Sequence, residues 1–131
     1  MVILAMLNAH ITEKIIAAAI RIHTALGPGL LESAYRECLC FELSSEGWIV
    51  EKEKILPVIY KGITLVHGYR IDILVDNRVV IELKTVEELH RAHYQQLLTY
   101  LRLGKFNTGL LINFQAARIK DGLKRITNGV S

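Results

Sequence analysis

A mixed α/β fold, with a mixed β-sheet flanked by helices, is the architecture this sequence predicts, and three observations predict it. Ile11, Ile15, Ala19, Ile22 and Leu26 recur at spacings of four, four, three and four, which lays one apolar stripe along a helix. Residues 69–84 read as two buried apolar strands around a turn near Asp76-Asn77, interrupted only by charges. A helical period over 86–103 then leads into the unbroken apolar run 108–114, the pattern of a strand buried on both faces.

The elements follow in order. The first helix stops at Gly27-Pro28-Gly29, and a second begins at once, with Leu31, Ala34, Cys38 and Phe41 as its expected apolar line and Gly47 as its terminator. From Trp48 to Tyr60 the period is that of one or two strands with Pro57 at a break, Lys61-Gly62 is a turn, and residues 63–66 form a short strand. The third helix is expected over residues 86–103, with Leu89, Ala92, Gln96 and Tyr100 on one line and Gly104 as its stop. The tail, residues 119–126 around Asp121-Gly122, reads equally as a strand or a frayed end.

At 131 residues the chain is expected to form one domain over 1–131, long enough to bury about two thirds of its unfolded surface without staples. Hydrophobic residues at 51% and charged ones at 22% exclude a disordered class. A net charge of +3 is compatible with a polyanionic partner. Cys38 and Cys40 diverge at i, i+2 of a helix and read as reduced thiols of a cytoplasmic protein. The apolar start, residues 1–7, is too short to span a membrane and lacks a basic flank, so no membrane partner is expected.

Three charges interrupt the hairpin: Asp72 on its first strand, Glu82 and Lys84 on its second. Glu82 and Lys84 leave the same face of their strand. With a two-residue turn at Asp76-Asn77, Asp72 would fall opposite Ile81 and on the other face; a three-residue connection, Asp76-Asn77-Arg78, or a one-residue bulge elsewhere pairs it with Glu82. The hairpin is expected to carry that shift. Two carboxylates about 5 Å apart repel unless a cation lies between them. Hard oxygen ligands without thiols favour Mg²⁺ or Mn²⁺, held by Asp72, Glu82 and the main-chain carbonyl of Leu83, with Lys84 orienting a water or neutralising a phosphate. The plainer alternative is a structural ion pair on a solvated sheet face.

These residues resemble the PD-(D/E)XK nuclease superfamily, and within it the GxxExxY family and the RecB/phage-exonuclease-like branch. The resemblance rests on Gly29-Leu30-Leu31-Glu32-Ser33-Ala34-Tyr35 after Ile22-His23, on Asp72 with Glu82-Leu83-Lys84, on Gln96-Leu97-Leu98-Thr99-Tyr100, and on Asn113-Phe114 with the segment 121–125. It covers about residues 11–126, lacks the Pro before Asp72, and implies a restriction-endonuclease-like core. By resemblance Glu32 joins the metal site, and Gln96 and Tyr100 line the cleft against phosphate or the attacking water. Their own chemistry also allows Glu32 to pair with Arg36 at i+4, and Gln96 and Tyr100 to be core. Tyr35 is expected to pack against the sheet, and the glycines around Pro28 to aim Glu32. Lys105, Lys120, Lys124 and Arg125 read as a phosphate-steering rim or as solvated charge. His23 is expected to make a buried hydrogen bond, His90 and His93 to face solvent or phosphate, and His10 and His67 have no assigned role.

The function expected from these features is divalent-metal-dependent hydrolysis of nucleic-acid phosphodiesters, DNA first, by Asp72, Glu82, Lys84 and Glu32, with a homodimer as one way to build specificity. The alternative is an inactive nuclease-fold module that binds nucleic acid or a partner protein.

Overall fold

Helix α1 (Val2–Leu26) turns Ile11, Ile15, Ala18, Ala19 and Ile22 into the core, and all but Ile22 are completely inaccessible. The computed structural model describes residues 2–66 and 68–129, apart from the side chain of Val2; His67 lies outside the described residues. The helix runs 25 residues, so the apolar start belongs to it rather than forming a short stub. By length and composition residues 3–26 would suit a membrane crossing, a test that the core helix of a folded domain passes as well. Here its inward stripe is covered by the sheet.

Helix α2 (Glu32–Ser45) buries Tyr35, Leu39 and Leu43. The expected line through Leu31 and Phe41 is wrong, since these are 77% and 70% exposed. Both stripes are apolar at helical spacing, and Tyr35 decides between them: its ring stacks on Phe114 at 4.3 Å between centroids. Strands β1 (Val50–Ile55), β4 (Arg70–Val75), β5 (Val79–Lys84), β6 (Thr108–Asn113) and β7 (Leu123–Thr127) form one sheet in the order β1-β4-β5-β6-β7. All neighbours are antiparallel except β5 and β6, which are parallel and joined through helix α3 (Arg91–Gly104). Strands β2 (Val58–Tyr60) and β3 (Ile63–Leu65) make a separate two-stranded ribbon between β1 and β4. Pro57 stands at the break between β1 and β2, and the tail is resolved in favour of a strand, β7.

Helices α1 and α2 cover one face of the sheet, over Ile73, Val79, Ile81, Leu110 and Ile112; α3 covers the other with Leu97, Tyr100 and Leu101 over Leu74, Val80 and Leu111. The helix α3 starts later than residue 86 because Asn113 holds Val86 by both its N–H (3.1 Å) and its carbonyl (2.8 Å), which keeps that segment extended. At the other end Gly104 is the last helical residue and Lys105 takes the left-handed position, φ 59°. The glycine serves space instead: a Cβ there would run into the Phe106 ring.

Candidate active site

Register decides whether the acids meet. Val75 pairs with Val79, Leu74 with Val80 and Ile73 with Ile81, so Asp76-Asn77-Arg78 is a three-residue connection; the ladder stops there, one step short of Asp72 and Glu82, which meet through their side chains. The left-handed residues are Asp76 (φ 52°) and Asn77 (φ 54°), two types that tolerate it, and Arg78 is spared. The turn closes through Arg78 N–H to the Val75 carbonyl at 2.9 Å. Past Ile73 the regular pairing of β4 with β5 ends, and Leu83 N–H donates to Asp72 Oδ2 at 2.8 Å.

The charged heads converge where β5 leaves the sheet. Lys84 Nζ lies 3.9 Å from Glu82 Oε2 and donates to Gln96 Oε1 at 3.3 Å; Gln96 Nε2 in turn donates to the Tyr100 hydroxyl at 3.3 Å. From the opposite layer, Glu32 at the start of α2 hydrogen-bonds the backbone of Thr85 and lies in the field of Asp72 and Lys84. So α2 closes the site from one side and α3 from the other. Gln96 is exposed and Tyr100 is 5% exposed, which makes the first a cleft residue and the second a core residue whose hydroxyl reaches the cleft.

Glu82 is 5% exposed, and its Oε1 has no hydrogen-bond partner. Burial first, and the Asp72 charge second, push its carboxyl up to about 8. Burial also raises Asp72, against the pull of the Leu83 amide and the Arg36 guanidinium. Glu32 is raised by burial and then by Asp72. Burial is the first cause for all three acids; a neighbouring carboxylate adds to it at Glu82 and Glu32 but not at Asp72.

Arg36 is the residue the sequence did not offer for this site. Its guanidinium spans Asp72 Oδ1 and Glu53 Oε1, each at 3.6 Å, rather than pairing with Glu32 one turn back. Glu53 faces it from a left-handed backbone, φ 50°, within β1. Nothing in the sequence pattern signals a contact from α2 to two strands; only the fold supplies it. Tyr35, by contrast, acts through the loop: its hydroxyl donates to the Gly27 carbonyl at 2.5 Å and accepts Leu30 N–H at 3.2 Å, which fixes the turn that presents Glu32. Gly27 (φ 69°) and Gly29 (φ 111°) give that turn its left-handed backbone.

Other expected residues fall differently. Lys124 and Arg125 are adjacent on β7 and leave it on opposite faces. Lys124 pairs with Leu111, which pairs with Glu82, so Lys124 shares the row of Glu82 two strands away, about 10 Å; Arg125 does not share it. Lys105 lies just beyond α3 and Lys120 in the 3-10 turn Ile119–Gly122. His23 Nε2 bonds the Ala116 carbonyl at 2.9 Å, and His93 Nδ1 accepts His90 N–H at 2.9 Å. Cys38 and Cys40 are free.

A sheet of this order, with a carboxylate from one hairpin strand and an acid and a lysine two apart on the next, defines a class of nuclease-like folds. A family model of the PD-(D/E)XK nuclease superfamily matches residues 9–126, and the chain belongs to that superfamily. No curated protein and no solved structure gives a match to it.

Nucleases of this superfamily generally use divalent metals and bind nucleic acid. Among the described residues no group of three or more His, Cys, Asp or Glu is arranged so that it could hold a metal ion. The residues present nevertheless fit a hard cation: an Asp–Glu pair in side-chain contact, one buried carboxylate oxygen without a partner, and oxygen donors only. Magnesium is commonly held by one or two carboxylates with water completing its shell, which needs no cage.

Proposed function

We propose that this chain is a divalent-metal-dependent nuclease that hydrolyses phosphodiester bonds of DNA, and that it stands in the GxxExxY family, near the RecB-like branch. The observation that carries the reading is the unpartnered Oε1 of Glu82, buried beside Asp72, with Lys84 Nζ 3.9 Å from the other oxygen, Oε2. A buried acceptor left without a donor is costly, and it persists where a ligand completes it.

Asp72 and Glu82 would hold Mg²⁺ or Mn²⁺, with the Leu83 carbonyl and Glu32 as further oxygen donors. A bound ion of this kind supplies positive charge against the phosphate oxygens and acidifies water. Lys84, steadied by Gln96, sets its ammonium at the phosphate to offset the charge that builds up as the water oxygen bonds to phosphorus and one P–O ester bond breaks. Glu32 accepts a proton from that water once it is ionised, and the departing oxygen takes a proton from solvent. Arg36, 3.6 Å from Asp72 Oδ1, works against the burial that raises that carboxyl. Lys124 is placed to draw the strand in from the side of β7.

The test is cleavage of plasmid and of a linear duplex with Mg²⁺ or Mn²⁺. Loss of cutting in Glu82→Gln and in Lys84→Met, with cutting retained in the exposed-surface variant Lys14→Ala, is the expected result. Binding without any cutting by the wild-type chain would leave a nucleic-acid-binding module on a nuclease fold, and cutting that survives both changes would reject the site.

A further inference from the structure

The β2–β3 ribbon has no assigned work. Its pairs are Val58 with Leu65 and Tyr60 with Ile63, so these four side chains share one face, while Ile59 and Thr64 share the other. Tyr60, Ile63 and Leu65 are 62%, 59% and 45% exposed. A bare two-stranded ribbon with an apolar face in water is marginal by itself and marks a contact surface. This one is held by its root. Leu56 sinks into the core under α3, and its N–H donates to the Tyr69 carbonyl at 2.8 Å.

The root lies at the cleft. Ile55 pairs with Arg70 at the end of the β1–β4 ladder, and Asp72 follows two residues later, about 7 Å along the strand. The backbone of Arg70 hydrogen-bonds the Tyr100 hydroxyl, the group that also meets Gln96. Charge along the ribbon has one sign: residues 54–70 contain Lys54, Lys61 and Arg70 and no acid. Lys61 Nζ stands 5.5 Å over the Tyr60 ring. Lys54 is paired with Glu51 at 2.7 Å, and among the described residues no carboxylate pairs with Lys61 or Arg70.

An apolar face with a tyrosine beside unpaired cations, continuous with a phosphodiester cleft, suits a polyanion that also has flat apolar faces. We propose that the ribbon is a strand-holding arm, on which Tyr60 stacks unpaired bases of the nucleic acid whose backbone enters the cleft at Asp72 and Glu82. The inference rests on the nuclease reading of that cleft and adds the substrate class. Bases in a closed duplex have their faces covered, so the arm selects single strands and frayed ends. Lys61 and Arg70 meet the phosphates on either side of the stacked base.

Fluorescence anisotropy of a labelled single-stranded oligodeoxynucleotide and of its blunt duplex, with the full chain at neutral pH in EDTA, tests this without cutting. The single strand is expected to bind tighter than the duplex. Loss of one base stack is expected to weaken single-strand binding about five-fold or more in Tyr60→Ala. Tyr60→Leu, which keeps the apolar surface but not the ring, should match Tyr60→Ala, whereas Tyr60→Trp should bind as the wild type does. The side chain is exposed, so thermal midpoints should stay together. If the wild type binds and Tyr60→Ala binds equally well, the arm is overturned and the cleft stands. If the wild type binds neither nucleic acid, the arm is overturned, and the cleft is decided separately by cleavage with Mg²⁺ or Mn²⁺. A Tyr60→Ala change that abolishes self-association in sedimentation without altering oligonucleotide affinity assigns the face to a second copy of the chain and overturns the proposal.

Discussion

The carboxylate of Asp72 takes the main-chain N–H of Leu83 at 2.8 Å, and so stands where a neighbouring strand would otherwise supply a carbonyl. One side chain thereby does two things: it ends the β4–β5 ladder, and it fixes its own remaining oxygen toward Arg36 at 3.6 Å. The peptide between Glu82 and Lys84 is held by the same contact. The backbone from which Glu82 and Lys84 project is therefore tied to the Asp72 side chain, while Gln96 and Glu82 hold the Lys84 head.

That bond separates structure from chemistry at position 72. An Asn there keeps an acceptor for Leu83 N–H, so Asp72→Asn should stay within about 1 kcal/mol of the wild type in urea unfolding while losing cleavage. Asp72→Ala strands a buried N–H and should cost about 1–3 kcal/mol. Equal urea midpoints for the two variants would show that the Leu83 contact contributes nothing.

Glu82 gives the metal-free protein a pH dependence of definite sign. Its carboxyl is lifted from the ordinary 4.5 to about 8, chiefly by burial, so between those values the folded chain holds a proton that the unfolded chain has released. Stability must then fall as pH rises through this window, by at most about 1.4 kcal/mol per pH unit, and level off above it. Glu82→Gln cannot titrate, and in EDTA it should melt above the wild type at pH 8 but near it at pH 5. Added Mg²⁺ or Mn²⁺, which needs the ionised pair, should raise the wild-type melting temperature at pH 8 and leave Glu82→Gln unmoved. Parallel melting curves for the two proteins across this range would contradict the assignment.

The hairpin was legible because a strand period of two makes an odd charge conspicuous, and because Asp76 and Asn77 accept the left-handed backbone that the register shift requires. The face of α2 was not. Leu31, Ala34, Cys38 and Phe41 are as apolar and as well spaced as Tyr35, Leu39 and Leu43, and apolarity cannot choose between two stripes on one helix. The choice is made by a partner far along the chain, Phe114, against which the Tyr35 ring lies at 12°. Arg36 was hidden for the same reason: its natural local partner, Glu32, is a turn away, yet the sheet offers Asp72 and Glu53. Local spacing gives element type well, and long-range packing gives the inward face.

Gly122 is the last case, where a sequence that suggests a turn conceals a requirement for space. It ends the 3-10 turn, and its backbone is not left-handed; a Cβ built there would meet the Asn113 carbonyl oxygen at 2.8 Å and the Ala116 Cβ at 2.9 Å. The first of these is main chain in the buried strand β6 and cannot swing aside. Asn113 also clamps Val86, two residues beyond Lys84, by both hydrogen bonds of that residue. Gly122→Ala should therefore cost about 1–3 kcal/mol in urea unfolding, as other overpacked sites do. Its effect should also travel: the Val86 amide, held at 3.1 Å by Asn113 Oδ1, should exchange with deuterium faster than in the wild type, and cleavage should fall with it. An unchanged urea midpoint with unchanged exchange at Val86 would show that β6 yields to the extra methyl, and that the clamp behind Lys84 is independent of the glycine.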